Sequence, residues 1–443
     1  MKKYITLCFA LLLMAACQYK EDPVFEQKPT ERTLSVLGKY KEVLEGHNGY
    51  WLLTYYPEEY RDGFWVYPYY PSVFTSTNEY PKYHRAIGGY NFVLKFSDGK
   101  VTTSSEVSTT NAEDTSRFIY SLAEFPILSF NTYGEILHHF SHVTSMFPNA
   151  KGGEVDFIIT KEENGVFTLK GKKNENIMTL SKLTTDRETF LNKIRENSKL
   201  LKNKGLSPIS VGGVEVTLDL FPSARQLAFI YEGGHKYEQQ AFIFTEKGIK
   251  LYEPVTINGQ TFTEFYFNDA KTALTTPDGK ISSTLVATPF VPVAGHNMEV
   301  WFMDQYVSPS LLASFNTARR RTARLLPGYT LSEQLLLLTM DGNEEETNTG
   351  FYMENAYDTD PSYIWKSYYM MDFVGVAGAT DQVKILINNP KDEGNYLFYS
   401  REPMEKFMTD LAKQSPYKVE EHSDEYYKLT AVRDANVWFL VKK

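Results

Sequence analysis

Cysteine is nearly absent. Cys8 and Cys17 are the only two in the 443 residues. Both lie within the first seventeen positions, so the rest of the chain offers no thiol for a disulfide, a thiolate metal site or a nucleophile. Basic charge is also scarce. Lys plus Arg number 46 against 55 Asp plus Glu, a formal charge of −9. Wholesale binding of a phosphate backbone needs a basic surface, so nucleic acid is not expected as a partner. No apolar run after residue 17 approaches the roughly 20 residues that cross a bilayer as a helix; Leu335 to Met340 is only six long. A Gly-x-Ser-x-Gly elbow, a P-loop and a dinucleotide Gly pattern are all missing. A pair of distant carboxylates stays open, because residues that meet only in space leave no local trace.

Aromatic residues are abundant: 31 Tyr, 29 Phe and 5 Trp. With 23% charged residues, the chain is too apolar for disorder and too charged for a helical membrane bundle. A packed core must stabilise it, and its length is enough for two or three domains.

The N-terminus reads as a targeting segment. Lys2 and Lys3 precede a mostly apolar stretch from Tyr4, which ends in Met14-Ala15-Ala16-Cys17. Small residues before a cysteine match the signal peptide of a bacterial lipoprotein, with residues 1–16 removed and Cys17 acylated. Met14 departs from the usual Leu or Val of that motif. Residues 17–29 then form a polar tether with Pro23 and Pro29. Lys20-Glu21-Asp22 just after the cysteine resembles a surface-export signal of Bacteroidota lipoproteins.

The body is expected to be α+β and β-dominated: two related antiparallel sheet or partial-barrel domains with a few flanking helices. The spacing predicts a helix over residues 30–45, capped by Gly46. Strands follow from Tyr50, with Asp98-Gly99 and Asn164-Gly165 as hairpin turns. Residues 133–143 are expected as a helix, and 185–204 as a second with Thr185 and Glu188 as a capping box. The domain boundary falls there, giving 30–204 and 205–443, the latter open to division near residue 327. Phe242-Ile243-Phe244-Thr245 echoes Phe157-Ile158-Ile159-Thr160, followed by Gly248-Ile249 with Leu251 and by Gly165-Val166 with Leu169, which suggests related sheets.

Three segments match something known: Gly49-Tyr50-Trp51-Leu52-Leu53-Thr54-Tyr55-Tyr56-Pro57, Leu128-Ser129-Phe130-Asn131-Thr132-Tyr133-Gly134-Glu135, and Gly152-Gly153-Glu154-Val155-Asp156-Phe157-Ile158. With the signal, the chain resembles an uncharacterised family of Bacteroidota surface lipoproteins, a domain of unknown function. The resemblance is most specific over about residues 30–185. It implies a cell-envelope location near nutrient-uptake systems, and brings no catalytic residues.

The densest anomaly is Tyr50 to Tyr83, where 13 of 34 residues are aromatic and Pro57, Pro68, Pro71 and Pro81 interrupt regular structure. Such a segment can present flat rings to a sugar or a protein, or bury them as a small core. Trp65, Tyr69 and Tyr70 are the candidate ligand-binding rings. Tyr357 and Trp365 come from a second cluster, Phe351 to Phe373. His138 and His142, with Glu135, are the metal-ligand candidates, although the His-Glu-x-x-His base is lacking. The acidic runs 341–346 and 354–360 lack calcium-loop spacing, and Arg319 to Arg321 with Arg324 suit a helix C-terminus. No cofactor is expected. Together these features favour a lipid-anchored, surface-exposed protein of the outer membrane. It would bind a glycan or an uptake-complex protein without catalysis. A glycan- or peptide-degrading hydrolase and a structural envelope protein are the alternatives.

Overall fold

The computed structural model describes residues 29–57, 88–108, 110–122, 125–142, 153–290, 298–325, 327–342, 346–387, 404 and 406–443. Helix α1 (Pro29–Gly46) opens the described chain, with Pro29 in the first turn, where its missing N–H costs nothing. Trp51 donates from Nε1 to the Leu44 carbonyl at 3.2 Å, and Tyr40 meets Phe167 edge-on, which docks α1 on the sheet that follows.

That sheet is a closed antiparallel barrel of β1 (Trp51–Tyr55), β2 (Tyr90–Ser97), β3 (Lys100–Ser105), β4 (Asp114–Leu122), β5 (Pro126–Phe130), β6 (Asp156–Glu163), β7 (Val166–Gly171) and β8 (Ile177–Lys182). β1 closes on β8, with Leu53 opposite Leu180. Alternation sets the faces: Trp51, Leu53 and Tyr55 point inward with Phe92, Leu94 and Phe96. The two expected turns are present. Asp98 and Gly99 have φ of 50° and 70°, and Asn164 and Gly165 have 54° and 76°, as a two-residue hairpin loop demands.

Residues 135–141 form hydrogen-bonded turns rather than the expected helix. The bonds alternate between three- and four-residue spans, His139 N–H to the Ile136 carbonyl and His142 N–H to the His138 carbonyl. Helix α2 (Arg187–Leu201) does form, but its cap is Asp186, which accepts from the Thr189 N–H at 3.0 Å. Thr185 donates instead to Glu246 of the next sheet. Phe190, Leu191, Ile194 and Leu201 bury the helix against that sheet.

The second sheet has nine strands: β9 (Lys204–Leu206), β10 (Ile209–Val211), β11 (Val214–Phe221), β12 (Gln226–Tyr231), β13 (Lys236–Phe244), β14 (Gly248–Ile257), β15 (Gln260–Phe267), β16 (Ala273–Thr275) and β17 (Ser282–Ala287). It runs from β10 through β17 in order and ends on β9, which pairs with β17. The echoed sequences are both hairpins, β6–β7 and β13–β14.

A third sheet closes as a barrel: β18 (Met298–Trp301), β19 (Tyr329–Gly342), β20 (Glu346–Tyr357), β21 (Asp360–Gly375), β22 (Gln382–Ile387), β23 (Tyr417–Glu421), β24 (Tyr426–Ala431) and β25 (Trp438–Lys442). Helix α3 (Pro309–Leu325) and a helix at 406–413 pack Leu311, Phe315, Phe407 and Leu411 into its core. The β-dominated α+β class holds, with three antiparallel sheets in place of two. Residue 327 lies between β18 and β19, which pair through Val300 and Leu335.

Backbones approach closely where the second and third sheets meet. A Cβ on Gly205 would lie 2.1 Å from the Gly375 carbonyl oxygen, and one on Gly375 would lie 2.3 Å from that of Ala287. Either side chain would force the sheets apart.

Candidate functional site

Trp65, Tyr69, Tyr70 and Cys17 lie outside the described residues. The structure does describe both stems of the aromatic segment 58–87, and the second sheet grips each one. On the entering side, Asn176 Nδ2 donates to the Tyr56 carbonyl at 2.7 Å, and the Tyr56 ring tilts against Tyr252 of β14 with centroids 4.6 Å apart. Burial pushes the Tyr56 phenol pKa well above its ordinary value. On the returning side, the Gly89 N–H donates to the Phe242 carbonyl at 2.7 Å, and Gly89 forms a parallel bridge to Ile243 of β13. Arg225 donates to the Gly89 carbonyl at 2.6 Å, pairs with Glu106 at 2.9 Å, and lies 3.9 Å from the centre of the Tyr90 ring. Glu106 Oε1 accepts from both the backbone and side-chain nitrogens of Asn91 at 2.7 Å. Tyr56 and residues 89–91 are therefore held by side chains and backbone of both the first barrel and the second sheet.

The third sheet presents the aromatic cluster whose exposure is described. Tyr357, at the end of β20, is 37% exposed, and Tyr363 on β21 is 54% exposed. Tyr329, half-buried at the start of β19, is the cross-strand partner of Tyr357. The Tyr329 and Tyr357 centroids are 5.0 Å apart at 48°, and those of Tyr357 and Tyr363 are 6.5 Å apart at 79°. The rings form a corner, not a flat plate. Desolvation first, then the neighbouring phenols of Tyr363 and Tyr357, raises the pKa of Tyr329. Gly328, with φ of 87°, lets the chain turn beneath Tyr357; a Cβ there would come within 3.1 Å of the ring. Thr330 donates to Asp358 at 2.7 Å, and the Ser362 N–H and hydroxyl both donate to Asp360. Position 365 pairs with Asn355 in the β20–β21 ladder.

Sequence reasoning placed Tyr357 and Trp365 in one cluster but missed Tyr329 and Asn355. Tyr329 lies 28 positions before Tyr357, and only strand pairing joins them. Asn355 is fully buried, and among the described residues neither its Oδ1 nor its Nδ2 has a hydrogen-bond partner. An isolated Asn carries no sequence signal for that.

The candidate metal ligands lie in the turns at 135–142. His138 is buried; its Nδ1 accepts from the Gly134 N–H at 3.0 Å, and its Nε2 faces the Phe130 carbonyl at 3.4 Å. Both ring nitrogens thus face backbone groups. His142 lies against the exposed Tyr133 with centroids 4.9 Å apart, and Glu135 is exposed. Among the described residues no group of three His, Cys, Asp or Glu side chains is arranged to hold a metal ion. Asp114 accepts from the Ile136 N–H and tethers this turn region; burial outweighs that bond and raises its pKa.

One further buried carboxylate lies between the second and third sheets. Asp372 of β21 accepts from the Ser223 hydroxyl at 2.8 Å. Burial pushes its pKa up to about 7.

Comparison with known proteins gives one family match. A family described as a domain of unknown function, DUF4302, matches residues 21–269, which include the first barrel and the second sheet through β15. No curated protein matches the chain. Among solved structures, a DNA polymerase III subunit beta sliding clamp from Bartonella birtlesii aligns over 93% of this chain and 97% of that one. Identity is 8% and the TM-score 0.12, too low to bear on the fold.

Proposed function

This chain belongs to the DUF4302 family, and we propose that it is a surface-exposed lipoprotein of the outer membrane that binds a glycan without catalysing a reaction. The observation that carries the reading is the exposed corner of Tyr329, Tyr357 and Tyr363. Aromatic faces are costly to leave in water and give rigid contact area, with phenol groups at the edge for hydrogen bonds. A sugar ring offers the complementary surface: C–H groups on its faces and hydroxyls around its rim. The carboxylates of Asp358 and Asp360 are held by Thr330 and Ser362, which suits them to accepting bonds and stiffening the turn. The anchor is Cys17, behind a short apolar segment. No helix among the described residues is long and apolar enough to cross a membrane, which is compatible with attachment by acyl chains.

Glycan-array screening of the intact chain in detergent tests this. Binding to at least one glycan class, lost in Tyr363→Ala with unchanged melting, is the expected result. Binding to none of the array, with retention of an outer-membrane uptake protein in affinity pulldown, overturns the glycan reading in favour of a protein partner.

A further inference from the structure

We infer that Asn355 is the polar reader of the tyrosine corner, and that the ligand it takes is a neutral sugar ring at a chain end, held through two adjacent hydroxyls. This rests on the glycan reading above and specifies its ligand.

Asn355 lies one step along the same strand face from Tyr357, and its cross-strand partner Leu331 lies one step from Tyr329. The residues on its inner side are apolar and buried: Leu331, Leu335, Phe351 and Met353. An amide in such surroundings is normally paired, because an unmet donor and acceptor forfeit their bonds to water. Among the described residues neither polar atom of Asn355 is paired, although an isosteric Leu would pack there without that penalty. The position carries an unpaired amide two residues from the exposed Tyr357 along β20. A ligand's route to the amide requires rotation of the Tyr357 ring, which is cheap at a surface position.

The chemistry of the amide selects the ligand. Asn supplies one acceptor oxygen and a donor nitrogen side by side. Two neighbouring hydroxyls, one donating and one accepting, complete it. A phosphate or carboxylate can use only the donor half. The turn beside the tyrosines carries two acidic side chains, Asp358 and Asp360, which repel an anion. Ring planes meeting at 79° embrace a single ring better than the flat middle of an extended chain.

Isothermal titration of the intact, detergent-solubilised chain with maltohexaose, xylohexaose and mannohexaose tests the inference, with a galacturonic-acid hexamer as the acidic comparison. The wild type should bind at least one neutral oligosaccharide more tightly than the acidic one. Asn355→Leu should weaken that binding at least tenfold while its melting temperature stays level or rises. Asn355→Asp, which keeps the shape but loses the donor, should weaken it as well, and gives the answer if the Leu variant does not fold. Wild-type affinity in a folded Asn355 variant overturns the inference and leaves the glycan reading standing. Tighter binding of the acidic hexamer overturns the neutral assignment. Failure of the wild type to bind any of the four overturns the inference, while the array decides the glycan reading.

Discussion

Arg225 of the second sheet reaches Glu106 of the first barrel at 2.9 Å, and their side chains are only 7% and 1% exposed. Removing one partner leaves an uncompensated buried charge, which typically costs about 3–5 kcal/mol. Arg225→Ala should therefore destabilise the protein by that amount in urea unfolding. The paired replacement Arg225→Met with Glu106→Leu should cost much less than the two single changes summed, because no charge is then stranded. Additive losses would mean that the two groups do not act as a pair.

Asp372 makes stability depend on pH. Its folded pKa is raised from 3.8 to about 7 by burial. The folded protein thus holds a proton that the unfolded chain has lost between these values. The contribution is fully present below about pH 4 and is lost as pH rises to about 7, where the full cost of the buried charge is reached. A shift of this size is worth on the order of 4 kcal/mol at most. The Lys384–Asp219 pair, 2.6 Å long, bridges the same two sheets. Asp372→Asn should flatten the melting-temperature profile between pH 5 and pH 8 and raise the value at pH 8. An unchanged slope would assign the pH dependence to other groups.

Tyr363→Ala removes a ring that is 54% exposed and lies outside the buried core of the third barrel. Its stability should change by about 0.5 kcal/mol or less, as expected for surface sites. Thermal unfolding checks this, and a large loss would mean that the ring supports the β20–β21 turn.

Gly375→Ala places a methyl group 2.3 Å from the Ala287 carbonyl oxygen, where backbone meets backbone. Overpacking of this kind typically costs about 1–3 kcal/mol. Earlier proteolytic cleavage between the second and third sheets should accompany the loss. Full wild-type resistance would show that the sheets separate freely.

Cys17→Ser should abolish palmitate labelling and move the protein from the membrane to the soluble fraction, as the proposed acyl anchor requires. Membrane retention in that variant would point to a different anchor.

Local structure was legible where backbone geometry follows from residue type. Asp98-Gly99 and Asn164-Gly165 turn because both positions need positive φ. Residues 133–143 differ from the expected helix because, although their apolar spacing suits one, Asp114 and His138 tie the chain into separate turns.

What the amino-acid order determines here is chemistry that acts through neighbours along the chain: the confinement of cysteine to the first seventeen residues, the turns and the β-dominated class. Tertiary structure decided what depends on pairing distant residues. It set three sheets in place of two, brought Tyr329 to Tyr357 and Arg225 to Glu106, and buried the amide of Asn355 and the carboxyl of Asp372. The physical reason is that strand register and sheet packing are cooperative, long-range choices, whereas a residue's own type constrains only its nearest backbone.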